Sequence, residues 1–251
     1  MSKTLLVTGA SSGIGKKVCE LFAEQGYKKV IGVGRRPEAL TQTGETLQSF
    51  GTEFLGVTAD LSEGENAIES IAKKVSEFTS SVDTLVNNAG VLHEKSFADV
   101  SWDDWKNSVR VNLASPYFLV QAMLPFLQVA ESPVVVNVSS TLAHKPIPNT
   151  SIYNIAKAGL NMMTQTLALE LAPKVRVNGV MPAVVNTPMY AKRFETKEEM
   201  DAALPSANAM HPMGRIGSTD DIAEAIYFLS SAKSNWITGT VLPVDGGMLV
   251  T

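Results

Sequence analysis

The sequence predicts an α/β fold, a doubly wound sheet of about seven parallel strands with helices on both faces, and three observations predict it. Short runs rich in Val, Ile and Leu recur seven times along the 251 residues, separated by stretches long enough for helices. Most of these runs are apolar nearly throughout rather than alternating, as strands covered on both faces must be. The chain has 45% hydrophobic and 18% charged residues, enough apolar material for a large core, and no linker-like stretch divides it, so 1–251 reads as a single domain.

Bulk properties narrow the partners. Lys and Arg number 21 against 25 Asp and Glu, a net charge of −4 with no basic run, so nucleic acid is not expected. The opening "MSKTLLVTGASS" turns glycine-rich too early for a signal-peptide core, and no run reaches membrane-span length. A soluble, cytoplasmic chain with no membrane partner is expected. Cys19, the only cysteine, lies in an apolar helix pattern and reads as core. His93, His144 and His211 are far apart with no ligand spacing, so no metal site is expected.

The elements follow in order. "TLLVTG" (4–9) is the first strand, and "VTGASSGIG" turns it into a helix opening at about Ile14. Gly9, Gly13 and Gly15, with Ser11 and Ser12 between them, permit a tight turn and close approach of a pyrophosphate to free N–H groups at a helix start. Glycines there also serve a turn alone, so the second strand, "KVIGVG" (29–34), matters more. About 20 residues past such glycines an NAD site supplies a carboxylate for the ribose 2′-hydroxyl. Here Gly34 cannot, and Arg35 and Arg36 offer forked cationic donors suited to a 2′-phosphate, which points to NADP(H) in preference to NAD(H). "EFLGVT" (53–58) is the third strand and leads to Asp60 and Leu61; "DTLVNN" (83–88) is the fourth and leads to Ala89 and Gly90.

Residues 102–128 and 151–172 read as helices apolar over much of their circumference, with Val111, Tyr117, Phe118, Leu119, Leu160, Met162, Met163 and Leu167 among them. The sheet covers one side, so a second subunit is expected on the other. Between them "PVVVNVSS" (133–140) is the fifth strand. Within the second helix Tyr153 and Lys157 share a face, a common pairing that decides nothing alone. "VRVNGVMP" (175–182) and "GTVLPVDGG" (239–247) are the sixth and seventh strands. The segment 187–213 interrupts the alternation and reads as a substrate lid, with Met189, Tyr190, Phe194, Met200, Leu204, Met210 and Met213 as its apolar lining.

In chain order, "TGASSGIG", "NNAG" (87–90), "VRVN" (109–112), "SS" (139–140), Tyr153 and Lys157 as YxxxK, "PMGRIGSTDDIAEAIYFLSS" and "ITGTVLPVDGG" resemble the motifs of the short-chain dehydrogenase/reductase family. The resemblance covers essentially the whole chain. It implies a Rossmann-type domain, usually a homotetramer, with Asn112, Ser140, Tyr153 and Lys157 as catalytic tetrad. Ser140 is preferred to Ser139 by the family's spacing of 13 residues to the tyrosine. It also implies that Asp60 and Leu61 hold the adenine, that Asn88, Ala89 and Gly90 line the cofactor, that Lys157 and Tyr153 meet its ribose, and that Pro182, Val185 and Thr187 lie at the nicotinamide. The sequence departs from the family at Ala183, where Gly commonly follows Pro182, and at Ala143, often Gly, which bears on pocket shape.

The chemistry agrees with that assignment. A free tyrosine ionises near pH 10, and a lysine one helical turn on is expected to stabilise its phenolate. Ser140 at a strand's carboxyl end suits a donor to the substrate oxygen, and Asn112 is expected to hold a water relaying protons to Lys157. The function expected is an NADP(H)-dependent oxidoreductase acting on a small or medium carbonyl or alcohol substrate. The alternatives are a 3-oxoacyl-[acyl-carrier-protein] reductase and a non-catalytic dinucleotide-binding sensor. An acidic carrier needs a basic dock, yet no Lys or Arg lies between Arg110 and Lys145. Only Lys174, Arg176, Lys192 and Arg193 remain to supply one.

Overall fold

In the computed structural model, which describes residues 3–251, seven strands form one parallel sheet in the order β3-β2-β1-β4-β5-β6-β7. They are β1 (Thr4–Thr8), β2 (Lys29–Gly34), β3 (Glu53–Thr58), β4 (Thr84–Asn87), β5 (Val134–Val138), β6 (Arg176–Pro182) and β7 (Val241–Val244). The chain starts at the centre, winds outward through β3, then crosses back to β4, so the order reverses between β1 and β4. A crevice opens there at the carboxyl edge. β2 and β3 keep their expected bounds, while β1, β4, β5, β6 and β7 are shorter. Gly9, Asn88, Ser139 and Ser140 lie beyond the strands, in loops at that edge, because the backbone turns away there to build the crevice.

The helices are α1 (Gly13–Glu24), α2 (Pro37–Gln48), α3 (Glu65–Phe78), α4 (Trp102–Val109), α5 (Ser115–Val129), α6 (Ser151–Leu171), α7 (Pro188–Ala191), α8 (Lys197–Ala209) and α9 (Thr219–Ser230). Side-chain alternation along each strand feeds two cores. Leu6, Ile31, Leu85, Val135 and Val177 meet Ile71, Met123, Leu127 and Leu160 from α3, α5 and α6. Leu5, Val7, Val30, Val134 and Val136 meet Phe22, Leu40, Leu47, Ile222 and Ile226 from α1, α2 and α9. Each such buried side chain contributes about 1.5–3 kcal/mol. Cys19 is fully buried in the second core, and burial pushes its thiol up, which suits packing rather than nucleophilic chemistry.

Two local details position the site. The expected helix 102–128 is α4 and α5 joined by a π-helical turn, Arg110–Ala114, in which Ser115 N–H donates to Arg110 O. Such turns are rare and recur at functional sites. Beneath α6, Asn87 Nδ2 donates to Asn137 Oδ1 at 2.9 Å, Asn137 Nδ2 donates to Thr164 Oγ1 at 2.9 Å, and Thr164 Oγ1 donates to Leu160 O at 2.8 Å. This buried polar chain fixes α6 on the sheet.

The outer faces of α5 and α6 stay apolar and uncovered. Val111, Leu119, Leu160, Met163 and Leu167 are buried, whereas Tyr117 and Phe118 are partly exposed and Met162 is 62% exposed. Among the described residues no helix is long and apolar enough to cross a membrane.

Candidate active site

Backbone geometry makes the glycine turn. Gly9 and Gly13 have φ of +73° and +56°, a region that favours glycine. A Cβ on Gly15 would stand 2.3 Å from Gly9 O and 2.5 Å from Asn88 Nδ2, so α1 packs against the turn only because that side chain is absent. Ser12 caps α1 with extended backbone and no side-chain hydrogen bond, leaving the first N–H groups of the helix open, with Ile14 packed on the core. Thr8 Oγ1 accepts from Asn88 N and Ala89 N, both at 3.0 Å, and Asn88 Nδ2 donates to Thr8 O, which holds 88–90 beside the turn. Thr187 closes over it, its Cγ2 3.4 Å from where a Cβ on Gly13 would lie. Val185 is buried and bridges to Gly217, and Pro182 ends β6.

The two arginines past β2 take different directions. Arg36 Nη2 donates to Ser11 Oγ at 3.4 Å, and a Cβ on Gly34 would lie 3.3 Å from that same oxygen. Arg35 Nη1 lies 3.7 Å from Asp60 Oδ2. Burial raises Asp60, but Ser62 N–H, donating to its carboxylate at 2.9 Å, and the Arg35 charge outweigh it and hold the group low. Leu61 follows, buried in the first core. Ser11, Arg35, Arg36 and the space left by Gly34 thus form one cationic corner beside the glycine turn.

Asn112, Ser140, Tyr153 and Lys157 are all buried, and they converge on the other side of the crevice. Asn112 lies in the π-helical turn; its Oδ1 accepts from Val91 N at 3.1 Å and its Nδ2 donates to Val91 O at 2.9 Å and Ser108 Oγ at 3.2 Å. This amide is therefore occupied with the loop after β4, where it clamps Val91. A Cβ on Gly90 would lie 3.0 Å from Asn112 Oδ1 and 3.7 Å from Lys157 Nζ, so this glycine leaves open a cradle that both residues line. Ser140, and not Ser139, faces the tyrosine: Ser139 Oγ is turned onto Lys157 O at 3.4 Å, whereas the Ser140 hydroxyl neighbours Tyr153 and accepts from Leu142 N.

Burial dominates the electrostatics of this group in the protein alone. Burial pushes Tyr153 up to about 12, with Ser140 opposing. Lys157 Nζ lies 5.7 Å from the Tyr153 ring centre and donates to Val138 O at 2.8 Å, and burial lowers it to about 8. The tyrosine is a firmly protonated acid at neutral pH, and the lysine is close to exchanging its proton there.

The lid covers this group. Met189 Cε lies 4.0 Å from the Cβ position of Gly90, Tyr190 is buried, and its ring meets Phe194 edge to face at 5.2 Å. Met210 and Met213 remain exposed, at 42% and 74%. The sequence reading missed Thr8, Val91, Ser108 and Val138, which hold site residues in place. Thr8 carries a local signal, its position immediately before Gly9, and Ser108 lies one helical turn before Asn112, whereas Val91 and Val138 act through contacts 21 and 19 positions away.

The residues present fit a dinucleotide: open N–H groups at α1, no side chain at Gly9, Gly13 or Gly15, a cationic corner past β2, and the cradle at Gly90. Comparisons with known proteins agree. A family model described as Enoyl-(Acyl carrier protein) reductase matches residues 9–249. The 3-oxoacyl-[acyl-carrier-protein] reductase FabG of Thermotoga maritima is 32% identical over 99% of this chain and 98% of its own. The 3beta-hydroxysteroid dehydrogenase 1 of Eggerthella lenta is 33% identical over 98% and 93%. Among solved structures, the Thermoplasma acidophilum aldohexose dehydrogenase superposes with a TM-score of 0.90 at 29% identity, covering 100% of this chain and 95% of its own. The Brucella melitensis 3-ketoacyl-(acyl-carrier-protein) reductase, complexed with NADH, gives 0.86 at 33% identity over 98% of both chains. These relatives are named for a carrier-bound oxoacyl group, a steroid and a sugar, so similarity alone does not choose a substrate.

Proposed function

Since the chain belongs to the short-chain dehydrogenase/reductase family and is an oxidoreductase of that type, we propose that it is NADP(H)-dependent and acts on a free small or medium carbonyl or alcohol compound. The observation that carries the reading is the convergence of Ser140, Tyr153 and Lys157 on the crevice whose other side holds the glycine turn and the arginine corner. The glycine turn and α1 N–H groups would hold the pyrophosphate, Ser11, Arg35 and Arg36 the 2′-phosphate, and Asp60 with Leu61 the adenine side. Asn88, Ala89, Gly90, Pro182, Val185 and Thr187, with Tyr153 and Lys157, would line the nicotinamide half. When bound, the dinucleotide supplies or takes up the hydride.

This chain's own residues handle the proton. In the reductive direction Tyr153 Oη gives its proton to the carbonyl oxygen, which the Ser140 hydroxyl holds by a hydrogen bond. Lys157, lowered to about 8, replaces that proton at an operating pH near its own value. Asn112 keeps Val91, and with it the cradle at Gly90, at the right height beside Lys157.

The carrier-bound reading has four cations to draw on, three of them already engaged. Lys174 Nζ donates to Ala130 O at 2.6 Å, and Arg176 Nη1 donates to Leu229 O, Ser234 Oγ and Ile237 O. Arg193 pairs with Glu94, which neutralises one of the four candidate charges, and Lys192 alone of the four has no partner among the described residues. The test is a panel of ketones, aldehydes and secondary alcohols followed by NADPH and NADH absorbance. Turnover of free ketones with NADPH strongly preferred is expected. Equal use of NADH would overturn the cofactor assignment, and selective turnover of carrier-bound oxoacyl groups would overturn the substrate class.

A further inference from the structure

Four segments ring the mouth of the pocket, and each is tied to the next. Lys95 N–H in the loop after β4 donates to Asn149 O at 2.8 Å, joining that loop to the one after β5. Lys145 in the second loop donates from Nζ to Thr251 O at 2.7 Å and Thr251 Oγ1 at 3.2 Å, joining it to the segment after β7. That segment accepts from the end of the lid through Met213 N–H to Gly246 O at 3.1 Å. The ring closes where Arg193 of the lid meets Glu94, with Nη2 2.9 Å from Oε1 and Nε 3.3 Å from Oε2.

The last tie differs from the others. It joins two charged side chains with no backbone partner, and each side chain is 36% exposed. Its two sides are unequally anchored. Glu94 stands between His93, whose Nε2 lies 3.3 Å from Asn107 Nδ2 of α4, and Lys95, whose Nζ donates to Asp104 Oδ2 at 2.7 Å. Asp104 is itself held by Ser101 in the capping box of α4. Glu94 is a fixed post, and Arg193 rides on the segment that carries Met189 over Gly90.

We propose that the Glu94–Arg193 pair is the latch of the lid, and that by closing the mouth behind the ligand it selects free carbonyl compounds over those bearing a long tether. The inference rests on the carbonyl reductase reading for its second half only. A compound whose tail leaves between the loop after β4 and the lid must hold the pair apart, whereas an enclosed one leaves it intact.

Hydrogen exchange over 187–213 in the protein alone reports the latch without any activity. Exchange there is expected to rise about two- to fivefold in E94Q and in R193Q, with no further rise in the double variant, as for a single surface ion pair. The reversed pair, E94R/R193E, should restore most of the protection. Activity reports selection: kcat/KM for the 3-oxobutanoyl thioester of coenzyme A, divided by that for ethyl 3-oxobutanoate, should rise by a similar factor in both single variants. Unchanged exchange in every variant overturns the latch. Raised exchange with an unchanged ratio overturns selection by it. Raised exchange in a protein that reduces neither ester leaves the latch standing and overturns the carbonyl reductase reading.

Discussion

Replacing Lys157 by Met should destroy turnover and yet make the protein without dinucleotide more stable near neutrality. Lys157 is 3% exposed, and burial brings its ammonium from 10.5 to about 8. That lowering corresponds to roughly 3 kcal/mol disfavouring the charged form in the folded state. Methionine has a similar length and no charge, but it leaves Val138 O without the donor it has at 2.8 Å, at a cost of about 1–2 kcal/mol. A net gain of about 1–2 kcal/mol at pH 7 follows, near 2–8 °C in melting temperature for a chain of this size. The sign depends on pH. Because the folded value is depressed, the lysine penalty is full below pH 8, fades as pH rises from 8 to 10.5, and is absent above. The Met variant should lose roughly 2 kcal/mol of its advantage between pH 7 and 10 and end level with or below the wild type. Urea unfolding of both proteins at pH 7 and pH 10 measures this. If the stability difference is the same at the two values, or the variant is weaker at pH 7, Lys157 is not a charge held against its environment and the proton-exchange argument fails with it.

Three further outcomes are expected. Tyr153→Phe keeps the ring and removes the acid, so turnover should fall about 10²–10⁴-fold while dinucleotide binding, read by fluorescence titration, is retained; near-normal turnover would remove Tyr153 from the mechanism. Arg36→Ala, and to a similar degree Arg35→Ala, should weaken NADPH binding about tenfold to a hundredfold and leave NADH little changed, since a charged hydrogen bond contributes about 1.5–3 kcal/mol; equal losses for the two dinucleotides would mean the corner does not read a 2′-phosphate. The exposed Tyr117, Phe118, Met162 and Leu169 on the outer faces of α5 and α6 should be covered in a homo-oligomer, expected to be a tetramer. Light scattering at micromolar concentration should then give a multiple of the chain mass, and Met162→Lys should reduce it.

The strands were readable wherever local pattern alone decides them. β2 and β3 have the bounds that their apolar runs suggest, because each pairs with the other along its whole run. β1, β4 and β5 end earlier than their runs because Gly9, Asn88 and Ser139 are diverted into the site, a demand that comes from across the sheet. The π-helical turn at 110–114 had no local signature: the residue whose docking it accommodates, Asn112, binds Val91, which is 21 positions away. The four converging residues, proposed as the tetrad, were legible through the ordered motifs of the family resemblance rather than through the shared helix face of Tyr153 and Lys157 alone. Family spacing to Tyr153 already preferred Ser140 to Ser139, but the physical reason, that adjacent residues leaving a strand point opposite ways and Ser139 turns onto Lys157 O, is a tertiary fact. The arginines were visible as charges, but Arg36 on Ser11 and Arg35 toward Asp60 are tertiary facts.

The polar chain from Asn87 through Asn137 to Thr164 makes α6 behave as a ruler with its zero mark far from its working end. Thr164 sits 11 residues beyond Tyr153, and sliding the helix by one turn would take Thr164 Oγ1 away from Asn137 Nδ2 and leave that buried amide donor unpaired at about 1–3 kcal/mol. Apolar contacts along the same interface tolerate such a slip far better, since they are not directional. Reshaping the pocket by changing residues around the tyrosine therefore leaves its depth alone, while Thr164→Val, nearly identical in shape and remote from any ligand, would blur the calibration on which the whole working end depends.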